Sequence, residues 1–499
     1  MRFLCFILLL FPFPVFSQLE VAKIFCSNMV LQRDKPVPVW GKAAPGTRVE
    51  VRMDTSRHSV IVAKDSSWKL WLPKQPANHQ PQSLFISAGD TAVQFQNILI
   101  GDIWVCIGQS NMEWPMIKEM HYKEEIKNSN QPLLRFYNPT YAGKNIFGTK
   151  FTDSVSALLT PEAFYKGGWQ TCDSSSFKTM SAVAYYFGKK VADEINVPIG
   201  LINISIGGAP IETFIDKEIL KTGKQFSAKT KGDWLVNEAL PVWIRERGMQ
   251  NVGSLQNVFQ DEQGKNHAYK PGFAYEAGIK HFFLLPVNGI LSYQGESNAQ
   301  EMERVNEYAA LSKLMIDDYR KQWRQKSLPF YFVQLSSIDT AKYKSHFWPK
   351  FRDEQRKMLQ LIPNCGMAVC SDIGARDDVH PTNKKDVGER LARWALNKTY
   401  SQHIIPSGPL PVKAIYSKGK LVVSFQYTGN GLKTSDGKPL RSFSVDGRND
   451  IDAIIDDFGI IIAVSSKPEY IYYGWKPFSD ANLVNSENLP ASTFKIKVQ

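Results

Sequence analysis

Apolar residues follow three successive patterns along the chain. From residue 18 to residue 98, short apolar runs alternate with Pro, Gly and Asp turns, which is typical of antiparallel β structure. From residue 99 to residue 406, runs that suit buried strands alternate with segments of helical spacing. From residue 407 to residue 499, short strands and turns return. We therefore predict an α/β domain with a parallel sheet between two β-sandwich domains.

Four segments of the middle region carry the clearest helical spacing, and they are residues 181–195, 301–323, 351–361 and 382–396. Two other long segments, residues 122–179 and 213–270, are polar and irregular. They fit the alternation of strands and helices poorly. We interpret them as insertions into the α/β domain that shape a substrate cleft.

A serine follows the most continuous apolar run of the middle region. Ile103–Ile107 is almost entirely apolar, and it ends at Gly108 before Gln109 and Ser110. Such a run suits a strand that is buried on both faces of a parallel sheet. A residue at the carboxyl end of such a strand lies where open α/β folds keep their active sites. Ser110 is therefore a candidate nucleophile.

The first 17 residues differ from the rest of the chain. One arginine at position 2 precedes an apolar stretch, and Val15 and Ser17 form a small-residue cleavage signature. The stretch is too short and too interrupted by proline for a membrane span, and no later segment approaches one. We interpret residues 1–17 as a secretory signal, which predicts a secreted or periplasmic protein.

Composition narrows the possible functions. The 499 residues are 43% hydrophobic and 22% charged, as expected for a folded protein of several domains. The net charge of +12 is spread along the chain without a Lys/Arg block, so we expect no nucleic-acid partner. No Cys/His cluster has zinc spacing, so we expect no metal. Five scattered cysteines follow the signal, and buried free thiols are favoured over a Cys365–Cys370 pair.

A serine needs a base, and few histidines are available. His380 stands in the sequence Asp377-Asp378-Val379-His380, just after a predicted strand. A carboxylate three residues before a histidine can lie on the same turn and orient the imidazole, which leaves Nε2 free for the serine. A capping Asp before a helix is the alternative reading of this spacing.

An oxyanion needs hydrogen-bond donors that are fixed before the reaction. Ser110 supplies its own backbone N–H. Gly207 and Gly208 follow another predicted strand and can present a backbone N–H without a side chain in the way, although a Gly-Gly pair is also a common turn. Gln294 ends a third apolar strand, and its amide can either donate to the oxyanion or support the loop backbone.

Together these motifs resemble the SGNH hydrolases and, within them, the sialate O-acetylesterases. The resemblance covers nearly the whole chain after the signal. Its strongest blocks are N-M-V-L-Q-R at 28–33, G-Q-S-N-M at 108–112, G-G-A-P-I-E at 207–212, Y-Q-G-E-S-N at 293–298 and V-H-P at 379–381. Shorter matches follow at 482–483 and 489–492.

The resemblance implies a flavodoxin-like three-layer α/β/α catalytic domain with accessory β domains. It implies hydrolysis of acetyl esters on sialic acids, typically the 9-O-acetyl group, without a cofactor. Ser110 is then the nucleophile and His380 the general base. The acid is Asp377 by its standard spacing, with Asp378 as the alternative.

The third block departs from the family pattern. It is usually Gly-x-Asn-Asp, whereas this chain has Gln294-Gly295-Glu296, so the donor from this block stays open. Asn111 and Glu296 are expected to support the loops around the serine rather than to react.

Two other functions remain under consideration. The Gln-Gly-Glu block also resembles acetylxylan esterases, so another O-acetylated polysaccharide is a possible substrate. A secreted carbohydrate-binding protein without catalysis is disfavoured because both Ser110 and His380 are present. For a sialic acid substrate, the carboxylate requires a basic side chain in the cleft, and the candidates are Arg135, Arg352 and Arg376.

Overall fold

The computed structural model describes residues 19–456 and 459–499. The predicted signal at residues 1–17 lies outside these ranges. Within them, no helix combines the length and the apolar character needed to cross a bilayer.

The N-terminal region consists of eight strands: β1 Glu20–Val21, β2 Val30–Gln32, β3 Val37–Lys42, β4 Arg48–Met53, β5 Ser56–Ile61, β6 Ser67–Leu72, β7 Asn78–Ala88 and β8 Thr91–Gly108. Strands β1, β3 and β6 form one sheet, and β2, β4, β5 and β7 join the first half of β8 in another. The predicted boundary between residues 98 and 99 falls within β8, which continues into the central sheet. The two regions therefore share a strand and one hydrophobic core.

The middle region contributes ten strands: β9 Gln131–Tyr137, β10 Thr140–Tyr141, β11 Tyr165–Lys166, β12 Trp169–Cys172, β13 Ile199–Asn203, β14 Gln260–Asp261, β15 Gly264–Lys265, β16 Gly289–Tyr293, β17 Phe330–Gln334 and β18 Cys365–Val369. The central sheet has the order β12–β9–β13–β8–β16–β17–β18. Every neighbouring pair is parallel except β12 with β9.

Strand β9 corrects one expectation. It lies within residues 122–179, which the sequence presented as an insertion, yet it pairs with β13 in the central sheet. The run is short and contains Pro132 and Arg135, so its apolar pattern is broken. Arg135 is tolerated in the strand because its guanidinium donates to the carbonyls of Pro132 and Leu134.

The described residues contain ten α-helices, which are α1 Ser110–Glu113, α2 Tyr122–Glu125, α3 Asp153–Ser156, α4 Ala182–Ile195, α5 Lys217–Thr222, α6 Val242–Gly248, α7 Phe273–Ala277, α8 Met302–Gln322, α9 Trp348–Leu361 and α10 Lys385–Trp394. Short 3₁₀ turns include Ile211–Phe214 and Ala341–Tyr343.

Helix α4 packs on α10, and α8 packs on α9. Strands β13, β16 and β17 are buried along their whole length, as expected for a sheet covered on both faces. The predicted α/β class is confirmed.

The described part of the C-terminal region has nine strands: β19 Leu410–Ser417, β20 Lys420–Gln426, β21 Leu432–Thr434, β22 Phe443–Ser444, β23 Ile454–Asp456, β24 Gly459–Ala463, β25 Tyr470–Tyr473, β26 Leu483–Asn485 and β27 Phe494–Lys497. They form sheets in the orders β19–β20–β24–β23, β22–β25–β27 and β21–β26. Their apolar side chains form a second hydrophobic core, separate from the first.

Candidate active site

Ser110 lies directly beyond β8, the strand at which the order of strands in the central sheet reverses. Strand β8 is flanked by β13 on one side and β16 on the other, and all three are parallel. Gly108, at the end of β8, has φ of +136°, and a Cβ there would overlap the Tyr293 carbonyl of β16. This close approach requires glycine. Ser110 then begins α1 at the carboxyl edge of the sheet, a place where α/β folds bind ligands.

His380 reaches Ser110 from the loop beyond β18. Its Nε2 lies 2.8 Å from Ser110 Oγ, within hydrogen-bonding distance. The imidazole stacks on Trp114, with 5.3 Å between ring centroids and 19° between planes. Burial lowers the pKa of His380 below its usual value of about 6.5. The imidazole is therefore neutral at pH 7 and can accept the serine proton.

The carboxylate beside His380 belongs to Asp378, the alternative acid, and not to Asp377. Asp378 Oδ1 lies 3.4 Å from His380 Nδ1 and accepts a 2.9 Å hydrogen bond from the His380 backbone N–H. In the described part of the chain, no hydrogen bond or ion pair joins Asp377 to His380. The spacing argument assumed a helical turn, whereas this loop is irregular and an Asp two residues earlier closes an Asx turn.

The two glycines after β13 differ in what their N–H groups bind. The Gly207 N–H donates to Tyr141 Oη at 3.0 Å. The N–H groups of Gly208 and Ser110 donate to no other described residue, so they remain available. Gly208 has φ of +77°, and a Cβ there would lie 2.5 Å from Tyr269 Oη. Of the predicted oxyanion donors, Ser110 and Gly208 therefore have N–H groups without a partner.

Gln294 makes supporting contacts. Its Nε2 donates to Asn298 Oδ1 at 3.0 Å and to the Ala209 carbonyl at 3.4 Å, and its Oε1 accepts from Tyr308 Oη. Both N–H groups of the amide thus have acceptors within the protein. These bonds correspond to the loop-supporting role, which is the alternative to oxyanion donation.

Asn111 and Glu296 meet below the reacting pair, together with Lys384. The Asn111 amide donates to Glu296 Oε1 at 2.5 Å and to the Val379 carbonyl at 2.9 Å, while its Oδ1 accepts from Lys384 Nζ at 2.5 Å. All three side chains are buried, and Glu296 Oε2 has no partner. The network connects the residue after Ser110 with the residue before His380.

Burial changes the ionisation of this network. It raises the pKa of Glu296 to about 7 and lowers the pKa of Lys384 to about 7. Each charge partly offsets the other's shift, since Lys384 favours the Glu296 carboxylate and Glu296 favours the Lys384 ammonium. Sequence reasoning missed Lys384, because nothing in the local sequence marks a lysine that will be buried.

Tyrosines from the two irregular segments hold the glycine loop. Tyr141 Oη donates to Glu113 Oε2 at 2.9 Å while it accepts from Gly207. Tyr269 Oη donates to the Gly207 carbonyl at 2.7 Å. Both tyrosines were missed as site residues.

The three arginines proposed for a substrate carboxylate have other partners. Arg135 and Arg352 are buried and donate to backbone carbonyls, and Arg376 pairs with Asp339 at 3.0 Å. None of them presents an unpaired guanidinium. Within the described ranges, no group of His, Cys, Asp and Glu side chains has the arrangement of a metal site, and Cys26, Cys106, Cys172, Cys365 and Cys370 are free thiols.

Comparison with known proteins shows that this chain is similar to carbohydrate esterases. Residues 265–397 match the family described as "Carbohydrate esterase, sialic acid-specific acetylesterase". A crystal structure of a carbohydrate acetylesterase from Xanthomonas citri superimposes with a TM-score of 0.78 and 28% identity, covering 96% of this chain and 99% of that one.

Curated relatives show a more particular similarity. Sialate O-acetylesterases of Pongo abelii and Homo sapiens are each 26% identical over 432 residues, which is 80% of this chain and 75% of theirs. The chain is similar to these sialic acid-specific acetylesterases over most of its length, and it is an esterase. The resemblance stated from the motifs is confirmed.

Proposed function

We propose that this protein hydrolyses O-acetyl esters of sialic acids through an acetyl-enzyme intermediate on Ser110. The proposal depends above all on the 2.8 Å hydrogen bond between Ser110 Oγ and His380 Nε2 at the carboxyl edge of the sheet. The names of the curated relatives support sialic acid as the sugar. The 9-O-acetyl group is the preferred ester in this proposal.

The first half of the reaction forms the acetyl-enzyme. His380 Nε2 accepts the Ser110 proton as Oγ attacks the acetyl carbonyl carbon. The N–H groups of Ser110 and Gly208 donate to the oxyanion of the tetrahedral intermediate. Asp378, next to Nδ1, stabilises the imidazolium. His380 then gives the proton to the sugar oxygen as the ester bond breaks.

The second half releases acetate. His380 removes a proton from a water molecule, which attacks the acetyl carbonyl, and the same two N–H groups bind the new oxyanion. Collapse of this intermediate returns the proton to Ser110 Oγ and frees acetate. The cycle uses no redox step and needs only water as a second substrate.

The same proposal includes two finer points. The α/β region is an SGNH-type catalytic domain of about residues 99–406, with β-sandwich domains at residues 18–98 and 407–499. Residues 1–17 act as a secretory signal, so that the enzyme is secreted or periplasmic.

Acetate release from a panel of substrates tests the function. The panel contains sialosides acetylated at single positions, including the 9-position, and acetylxylan as the competing substrate. We expect faster release from 9-O-acetyl sialic acid than from acetylxylan. The reverse order would favour the polysaccharide esterase.

The Ser110→Ala variant tests the nucleophile on the same panel. We expect a loss of about 10⁵–10⁶-fold in kcat, as for other catalytic serines. Ser435→Ala is the matched control, because Ser435 is exposed and lies in the C-terminal region. A Ser110→Ala protein that folds normally and keeps more than about a hundredth of the activity would rule out this mechanism.

A further inference from the structure

Arg247 is a cation without an acidic partner. It lies in the last turn of α6, within residues 213–270. Its guanidinium carbon is 4.6 Å from the centroid of the Trp243 ring and 5.9 Å from that of Phe147. In the described part of the chain no hydrogen bond or ion pair reaches its guanidinium, and Nε is buried without a partner. A buried polar atom without a partner is rare and calls for an explanation.

The aromatic rings around Arg247 lie against the glycine loop of the active site. A Cβ built on Gly207 would be 3.7 Å from Phe147 Cζ and 3.1 Å from Glu113 Oε2, on the helix that begins at Ser110. A Cβ built on Gly208 would be 3.7 Å from Trp243 Nε1. Arg247 is therefore one side chain away from the loop that carries the Gly208 N–H.

Trp243 has a second polar atom without a partner. Its Nε1, next to Gly208, is buried and donates to no described residue. Phe147 is 52% exposed, so this wall of the cleft is open to a ligand. The site therefore combines an unpaired guanidinium, an unpaired indole N–H and an exposed aromatic face.

The nearby charges leave Arg247 uncompensated. Glu113 is occupied by Lys144 Nζ at 2.9 Å and by Tyr141. Burial, Asp378 and Glu296 raise the pKa of Tyr343, and the Arg247 charge opposes this rise. The charges of Arg247 and of Asp378, the carboxylate beside His380, therefore both act on Tyr343.

We propose that Arg247 binds the carboxylate of an acidic sugar ester whose acetyl group is at Ser110, and that it selects anionic substrates over neutral ones. The guanidinium supplies paired N–H donors, and carboxylates accept such pairs strongly. Stacking between Trp243 and Phe147 keeps the guanidinium in place without cancelling its charge. This proposal rests on the proposed function and adds the group that recognises the sugar.

The test uses two substrates that differ only in the carboxylate. They are 9-O-acetyl-N-acetylneuraminic acid and its C1 methyl ester, assayed by acetate release. For Arg247→Gln we expect kcat/KM on the free acid to fall about 10–100-fold, mainly through KM, because a charge-assisted pair of hydrogen bonds is lost. We expect less than about threefold change on the methyl ester. Arg247→Lys should recover part of the preference because it keeps the charge.

Lys231→Gln is the matched control, because it removes an exposed cation from the same segment of residues 213–270, and it should leave both substrates unchanged. Equal losses on the acid and the methyl ester in Arg247→Gln would assign Arg247 to packing and overturn the proposal. A wild-type enzyme that cleaves both compounds equally would overturn it while leaving the proposed function intact. A wild type that cleaves neither, but releases acetate from other sugars, would remove the proposed function. In that case an O-acetylated hexuronic acid and its methyl ester would replace the sialic acid pair. Faster cleavage of the free acid would support the role of Arg247, and equal cleavage of the two compounds would overturn it.

Discussion

The two sides of the Ser110 cleft are held by different kinds of polar group. On the histidine side, Asn111 joins Glu296 and Lys384, two groups that carry charge and are fully buried. On the glycine side, Tyr141 and Tyr269 hold the loop with neutral hydroxyls. Both sides fix a loop of the candidate site against the same sheet edge, but only the first does so with groups that titrate near neutral pH.

This difference makes the histidine side sensitive to pH. The pKa of Glu296 is raised from about 4.5 in the unfolded chain to about 7 in the folded protein. Its protonated form therefore contributes its full share to the free energy of unfolding below pH 4.5, and this contribution is lost as pH rises through about 7. The pKa of Lys384 is lowered to about 7, so the stability contributed by its neutral form is complete above about 10.5 and is lost as pH falls through about 7. The two effects oppose each other and meet near pH 7.

The glycine side does not share this behaviour. Burial raises the pKa of Tyr141 and of Tyr269 above the usual value of about 10. Both hydroxyls therefore stay protonated, and their hydrogen bonds persist, through the pH range in which His380 and the Glu296–Lys384 pair titrate. Three experiments measure this contrast.

The largest effect is expected from breaking the charged network. Lys384→Met removes the cation that favours the Glu296 carboxylate and the donor to Asn111 Oδ1, and we expect a loss of about 3 kcal/mol in the free energy of unfolding at pH 7, where both groups are partly charged. Adding Glu296→Gln should recover part of this loss, because the double variant has no unpaired charge. Urea unfolding followed by activity measures the transition of the central region.

Lys385→Met is the control for this experiment, because Lys385 is adjacent in sequence but only partly buried. A Lys384→Met protein as stable as Lys385→Met, or two single losses that simply add in the double variant, would show that the charges of the network are not coupled.

A smaller effect is expected from the acid beside His380. Asp378→Asn keeps an acceptor for the His380 N–H but removes the charge, so kcat/KM should fall about 10–100-fold. This loss is smaller than the ~10⁴-fold loss for a buried triad acid, because the Asp378 side chain is 62% exposed to solvent. Asp378 raises the pKa of His380, although burial lowers it overall. The wild-type rate should therefore decline below an apparent pKa under 6.5, and the variant's decline should move to lower pH.

Asp377→Asn provides the comparison for Asp378→Asn, since both variants change the charge of the same loop by one unit. We expect it to change kcat/KM less than about twofold and to leave the pH profile in place. A larger loss in Asp377→Asn than in Asp378→Asn would restore the assignment made from spacing.

The smallest effect is expected on the glycine side. Tyr141→Phe removes the acceptor of the Gly207 N–H and should lower kcat by up to about tenfold, corresponding to one hydrogen bond of about 0.5–1.5 kcal/mol. The pH dependence should not move. Tyr331→Phe, which removes a hydroxyl that contacts Thr399, is the control with no expected change in rate. A shift of the pH profile in Tyr141→Phe would remove the distinction between the two sides.

Local signals were enough to find the candidate site residues and much of the fold. Ser110, Gly207 and Gly208 each follow an apolar run, and strands β8 and β13 end where those runs end. Helix α4 begins after Ser181, whose side chain accepts from the Ala184 N–H as an N-cap, and the apolar spacing predicted the same helix. These features depend on neighbouring residues, so the order of residue types alone predicts them.

Other parts required contacts between distant residues. Asp378 replaces Asp377 because the loop forms an Asx turn instead of a helical turn. Strand β9 enters the sheet although Arg135 interrupts its apolar run, because backbone carbonyls satisfy the guanidinium. Lys384 and Asn111 are 273 positions apart, and no spacing rule connects them.

By itself, the sequence predicted the α/β class, the esterase activity and the candidate serine and histidine, because strand ends, glycine turns and residue chemistry are encoded locally. Only the tertiary structure decided which carboxylate lies beside His380, which glycine N–H is available, and which cations are paired. Those properties depend on burial and on the presence or absence of a partner within about 3 Å, and both arise only when distant segments pack together.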